Sequence, residues 1–98
     1  MISRLDFMFT IGFQGNTAIV DGSARRAYGR LSPRELAEKG LFKPAVFGAS
    51  YDKDERALEE VLAAYNAKGE VKLKSVDALK RAFGVLESFD DIDRVMYV

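Results

Sequence analysis

Histidine, cysteine and tryptophan are all missing from this chain of 98 residues. Without histidine, no side chain has an ordinary pKa near neutrality. Without cysteine, there is neither a thiolate nucleophile nor a thiolate metal ligand. Ser-His-Asp and Cys-His catalysis are therefore excluded within the chain. So are structural zinc sites, CxxC redox pairs, cysteine-ligated iron–sulfur clusters and disulfide staples. Any catalysis would fall to carboxylates, Lys, Tyr, Ser/Thr or a bound cofactor, with pKa values displaced by burial or neighbours. A chain free of disulfides agrees with a cytoplasmic location.

Long apolar runs are missing as well. Arg4 and Asp6 put charges into the opening segment, and Gly12, Gln14, Gly15 and Asn16 interrupt the apolar stretch behind them, so no secretory core forms. Nothing approaches the roughly 20 apolar residues of a membrane helix, and no membrane partner is expected. Net charge is absent too: Lys plus Arg is 15 and Asp plus Glu is 15. That balance argues against a generic polyanion binder, while 48% hydrophobic residues are too many for a disordered tail. One core is all such a length can build, so residues 1–98 read as a single domain.

What is present alternates between strand and helix signals. Leu5, Phe7, Phe9, Ile11 and Phe13 occupy odd positions with Asp6, Thr10 and Gly12 between them, a period of two that predicts a strand over 5–13. Gln14-Gly15-Asn16 supplies turn chemistry, and Thr17 to Asp21 is a second β-prone run, so the two predict an antiparallel hairpin ended by Asp21-Gly22. Ser32-Pro33-Arg34-Glu35 joins an N-cap serine, a first-position proline and a third-position glutamate. This capping box predicts a helix from Pro33 to Lys39, with Gly40 in a left-handed C-cap and Leu41 folding back on Leu36. Residues 41–51 fit a helical face or a strand face, and Pro44 in a first turn together with the alanines favours helix.

Asp52 is expected to cap a helix reaching about Ala67, with Leu58, Val61, Leu62 and Tyr65 as its apolar stripe. Val71 to Lys74 alternates like a short strand. Ser75 or Asp77 should begin a helix carrying Val76, Leu79, Ala82, Phe83 and Leu86 on one side. Asp90-Asp91 breaks that pattern, and Arg94 to Val98 reads as a terminal strand entered from Ile92. The fold class that follows is α+β: an N-terminal β-hairpin, a helical middle, then β-α-β, with a mixed or antiparallel sheet and helices on one face.

The zero charge conceals an asymmetry. Residues 1–49 carry seven basic and four acidic side chains, and residues 50–98 carry eight basic and eleven acidic. The densest basic segment is Arg25-Arg26-Ala27-Tyr28-Gly29-Arg30, where guanidinium forks suit phosphate or carboxylate and the phenol could stack on a base. Arg25, Arg26, Tyr28 and Arg30 are accordingly the candidate ligand-binding residues. The competing use of these arginines, and the favoured one, is to pair with the acidic helix after Asp52 or the acidic turn at Asp90, stitching the two halves together.

Other motifs carry less. Phe7, Phe9 and Phe13 on one strand face could form a base-stacking platform, but a small domain needs such residues in its core, where each contributes roughly 1.5–3 kcal/mol. Gly12-Phe13-Gln14-Gly15 has the GXXG spacing of a backbone clamp, yet it lies in a hairpin and lacks basic residues. Asp52, Asp54 and Glu55, like Asp90, Asp91 and Asp93, lack the spacing of a calcium loop and read as a helix start and a solvated turn. Asp21-Gly22-Ser23 reads as a turn. Asp6, Asp21, Tyr28 and Glu35 are the acid–base groups available, and no spacing pairs them.

No catalytic residue, metal site or cofactor is therefore assigned. The expected function is a non-catalytic protein-interaction or regulatory module of a bacterial-type cytoplasmic protein, with a protein partner or self-association through edge strands or an exposed apolar face. A phosphate- or nucleic-acid-binding module using residues 25–34 is the first alternative, and a small carboxylate-dependent enzyme or enzyme subunit the second.

Overall fold

The computed structural model describes every residue from Met1 to Val98. Its first element corrects the expectation drawn from period two. Residues Arg4–Met8 form a short helix, α1, and only Thr10–Gln14 forms the strand β1. The cause is local: the Ser3 hydroxyl accepts from the Asp6 backbone N–H and donates to the Asp6 carboxylate at 2.9 Å, closing a first helical turn. Phe7, Met8 and Phe9 are then all buried, which a strand face could not achieve for three consecutive residues.

The hairpin is present as expected. β1 pairs antiparallel with β2, Thr17–Val20, across Gly15, whose φ of 59° suits a residue without Cβ. A register shift between Thr10 and Gly12 marks a bulge at Ile11. Asp21 does not make the expected turn. Its side chain accepts from the Ala24 N–H and caps a second helix, α2, Gly22–Tyr28.

The capping box acts as its residues predict. Ser32 and Glu35 exchange hydrogen bonds of 3.2 and 3.0 Å at the start of α3, Pro33–Glu38. Gly40 takes φ 80°, and the N–H groups of Gly40 and Leu41 return to the carbonyls of Ala37 and Leu36, the Schellman arrangement. Residues Phe42–Tyr51 resolve to a helix, α4, with Ala45 to Ala49 all buried. The next helix, α5, runs Glu55–Lys68 and is capped by Asp54, not by Asp52. Asp52 instead ends α4, and Lys53 at φ 54° turns the chain between the two helices.

The strand expected at 71–74 is not formed, so the β-α-β ending reduces to α-β. Val71 is 69% exposed with no strand beside it. The segment is held instead by the Asn66 amide, which donates to the Leu73 carbonyl and accepts from the Leu73 N–H, both at 2.8 Å. Ser75 caps the last helix, α6, Val76–Phe83, whose buried stripe stops at Val76 and Leu79. Ala82 and Leu86, expected on that side, are exposed. The terminal strand β3, Arg94–Tyr97, lies parallel to β2, completing a mixed sheet in the order β1-β2-β3.

Packing follows from these placements. Ala18 and Val20 of β2 face inward and are fully buried, with α1 against the strand. Phe7 lies 5.0 Å from Phe47 and 4.6 Å from Phe89 between ring centres, so one ring ties α1, α4 and the segment before β3. Gly48 lets α4 approach α1, because a Cβ there would stand 3.0 Å from Met8 Cε. The phenylalanines expected in the core are there, Phe7 and Phe9 buried and Phe13 packed against it, but on two elements, not one strand face.

Candidate functional site

The four candidate ligand-binding residues are divided by the fold. On α2, Arg25 turns inward and brings Nε within 2.9 Å of Asp6 Oδ1. Its N–H points off that line, so the contact is an ion pair without a directed hydrogen bond. Asp6 is buried and also accepts from Ser3 Oγ at 2.9 Å and from Tyr97 Oη at 2.8 Å. Hydrogen bonding to the Asp6 carboxylate, reinforced by burial and by the Asp6 charge against the opposing pull of Arg25, raises the Tyr97 pKa above 10.0. The node joins α1, α2 and β3, a structural fastening made of groups that a sequence reader would count as chemistry.

Arg26 and Arg30 differ. Both are exposed, neither has a carboxylate partner, and the one side-chain hydrogen bond of Arg26 goes to Ser23 Oγ at 3.4 Å. Tyr28 is 36% exposed and lines a small apolar cleft of about 150 Å³ with Phe9, Leu41, Pro44, Asp21 and Lys43. Pairing of Arg25 with the acidic helix or the Asp90 turn does not occur; its partner is Asp6, because α2 packs beside α1. The expected pairing with the acidic helix is made by Arg34 of the same basic stretch, and Arg4, outside it, adds a second tie. Arg4 grips Asp52 at 2.8 and 2.9 Å, and Arg34 reaches Glu38 at 3.3 Å and Glu60 at 3.9 Å across an open groove between α3 and α5.

The acidic residues have local duties. Asp54 caps α5, Asp52 holds Arg4, and no three acidic side chains come together as a metal site would require. Glu35 has its pKa lowered from 4.5 by the Ser32 backbone and hydroxyl hydrogen bonds, aided by Lys39 and opposed by slight burial. Gly12, Phe13 and Gln14 lie in β1, and Gly15 alone enters the β1-β2 turn. A third cleft, about 140 Å³, places Ser50, Lys53 and Lys80 together, but α4 and α6 both present C-terminal ends there, and the lysines offset those dipoles.

The sheet itself is the unanticipated surface. With Ala18 and Val20 inward, Phe13, Val95 and Tyr97 share their face by register. The opposite face carries Gly12, Ile19 and Met96 side by side, with Met96 49% exposed, and the bulged Ile11 is 55% exposed. The unbroken apolar run Val95-Met96-Tyr97-Val98 was its sequence signal: a strand with one wet face alternates, and this one does not. No helix is long and apolar enough to cross a membrane. No protein-family model, curated protein or solved structure matches the chain.

Proposed function

We propose that this domain is a non-catalytic protein-interaction module that recognises its partner through the sheet. The observation that carries the reading is the outer sheet face: Met96 stands about half exposed beside Ile19, with Val98 65% exposed at the strand end and the bulged Ile11 55% exposed on the β1 edge. Apolar groups gathered on one face of a small domain favour burial against another protein. The polar groups support the same reading, since Asp6 serves three partners inside the fold and Glu35 serves a cap.

Sedimentation equilibrium combined with affinity capture from cell extract tests it. The expected result is self-association or one stoichiometric protein partner, lost in the Ile11→Lys/Met96→Lys variant while the fold is retained. A strict monomer at high concentration, with nothing captured that the variant fails to capture, overturns the module.

A second reading draws on Arg26, Tyr28 and Arg30, whose exposure leaves two guanidinium groups free for phosphate. It expects binding to an RNA or nucleotide panel that falls steeply with salt and weakens in Arg26→Ala/Arg30→Ala. Undetectable or salt-insensitive binding removes it.

A further inference from the structure

The interaction reading leaves the partner open, and the backbone of β3 narrows it. Val98 donates its N–H to the Val20 carbonyl at 3.0 Å, Gly22 donates to the Val98 carbonyl at 3.3 Å, and Arg94 donates to Asn16 at 3.4 Å. Residues 94 and 98 therefore turn their backbone groups toward β2, as does Met96 between them by strand alternation. Val95 and Tyr97 turn theirs outward, and neither residue joins a backbone hydrogen bond beyond the ladder.

The two edges of this sheet are not equivalent. β1 is blunted by its bulge at Ile11, a device that keeps an edge from pairing. β3 has no bulge, proline or lysine along its length, and its only charge is Arg94 at one end. It is also in regular register with β2 over all four residues. An edge with outward donors and acceptors and no guard is a template for another strand.

We infer that a second copy of this chain pairs antiparallel with β3 about a two-fold axis through Met96, making one six-stranded sheet. This inference rests on the interaction reading and names a partner for the edge of the sheet, leaving its widened outer face open. The strand is self-complementary in that register: Val95 faces Tyr97 of the other copy as a hydrogen-bonded pair in both directions, and Met96 faces Met96 as the non-hydrogen-bonded pair. Side chains agree with the backbone. Val95 and Tyr97 already share the inner face, and Met96 beside Met96 joins the two Ile19-Met96 rows into one apolar band across the outer face. Charge agrees as well, because the two Arg94 side chains stand at opposite ends, roughly 13 Å apart along the strands and beyond the screening length at physiological salt. Any other antiparallel register either moves the axis off Met96 or offsets this band.

The chain has no cysteine, so one introduced cysteine reports on the axis without background. Met96→Cys, Arg94→Cys and Val98→Cys are each oxidised mildly at concentrations where sedimentation shows association. In the proposed register the Met96→Cys pair lies about 4.5 Å apart between Cα atoms, within disulfide reach, and the other two pairs lie roughly 13 Å apart, outside it. Expected is an interchain disulfide in Met96→Cys forming at least about tenfold faster than in either control. A companion variant, Val95→Pro, removes one outward N–H and is expected to be a folded monomer, since an edge strand tolerates proline where its N–H faces solvent.

A dimer in which the three cysteines oxidise alike overturns the β3 axis while leaving the interaction module standing. A monomeric wild type that captures another protein overturns self-pairing alone, and one that captures nothing overturns both.

Discussion

Tyr97 Oη donates a 2.8 Å hydrogen bond to Asp6 Oδ1, joining the last strand to the first helix across 91 residues of sequence. Arg25 approaches the same oxygen and Ser3 the other, so one buried carboxylate organises three elements. Removing that carboxylate leaves a guanidinium and a phenol without their shared acceptor. Asp6→Ala is therefore expected to lower stability by about 2–3 kcal/mol in urea denaturation, the cost of a buried charged acceptor discounted for the partial exposure of Arg25. Tyr97→Phe should cost less than Asp6→Ala, and the double variant should show strong non-additivity, because the two changes delete one shared contact. Additive effects would show that the node is not coupled.

The same bond sets an alkaline limb. The native state holds the phenolic proton of Tyr97 more tightly than the unfolded chain does, since its pKa is raised above 10.0 chiefly by the hydrogen bond to Asp6. Its contribution is thus complete below the unfolded value and declines as pH rises through the native one. The stability gap between wild type and Tyr97→Phe should stay constant from about pH 7 to about pH 9 and close above about pH 10. A gap that widens with pH would mean that the phenolate, not the phenol, is the form the fold prefers.

Glu35 sets the acid limb, with opposite sign. Its pKa is lowered from 4.5 because the ionised carboxylate accepts from the Ser32 backbone N–H. The stabilisation is complete above 4.5 and is lost as pH falls through the lower native value. Wild type and Glu35→Gln should therefore converge in thermal stability as the pH drops below this range, and a gap independent of pH would remove charge from the capping account.

These contacts show which parts of the fold are legible in a sequence. The Gln14-Gly15-Asn16 turn and the Ser32 to Glu35 box are readable because their partners lie within three or four residues, so backbone geometry and hydrogen bonding are fixed locally. The opening segment misleads because Leu5, Phe7, Phe9, Ile11 and Phe13 satisfy a period of two, while the deciding signal, Ser3 capping at Asp6, is polar and short. Val71 to Lys74 misleads in the same way: alternation describes a strand only where a neighbouring strand exists. The basic cluster is visible as charge, but its division into an inward Arg25 and outward Arg26 and Arg30 depends on α2 packing beside α1. Asp6 carries no local mark of its role, because its partners Arg25 and Tyr97 arrive from distant elements.

The boundary between α4 and α5 gives a direct contrast between neighbouring aspartates. Asp54 accepts from the Ala57 N–H at 3.1 Å and satisfies an orphan donor, so Asp54→Ala should cost about 1 kcal/mol. Asp52 lies just past α4 and holds Arg4 in a pair with both side chains over one-third exposed. Asp52→Ala should cost roughly half as much or less. Chemical denaturation of the two variants decides the order, and a larger loss at Asp52 would move the helix start back to it.

Asn66 offers the most local test, because one side chain replaces a strand neighbour. Its amide donates to and accepts from the Leu73 backbone at 2.8 Å in each direction, holding an otherwise exposed segment between α5 and α6. Asn66→Ala removes both bonds and leaves a part-buried N–H and carbonyl to find water, a loss of about 1–2 kcal/mol. Most of that loss should appear locally, as faster hydrogen exchange at the Leu73 amide, while amides in the Leu58–Leu62 stretch of α5 hold, or speed up only as far as global stability falls. Asn66→Asp separates the two bonds: it keeps the acceptor for the Leu73 N–H and loses the donor to the Leu73 carbonyl. Exchange at Leu73 should then fall between wild type and Asn66→Ala. If Asn66→Ala leaves the Leu73 amide as protected as in wild type, the segment is held by the packing of Leu73 against the core and not by the amide.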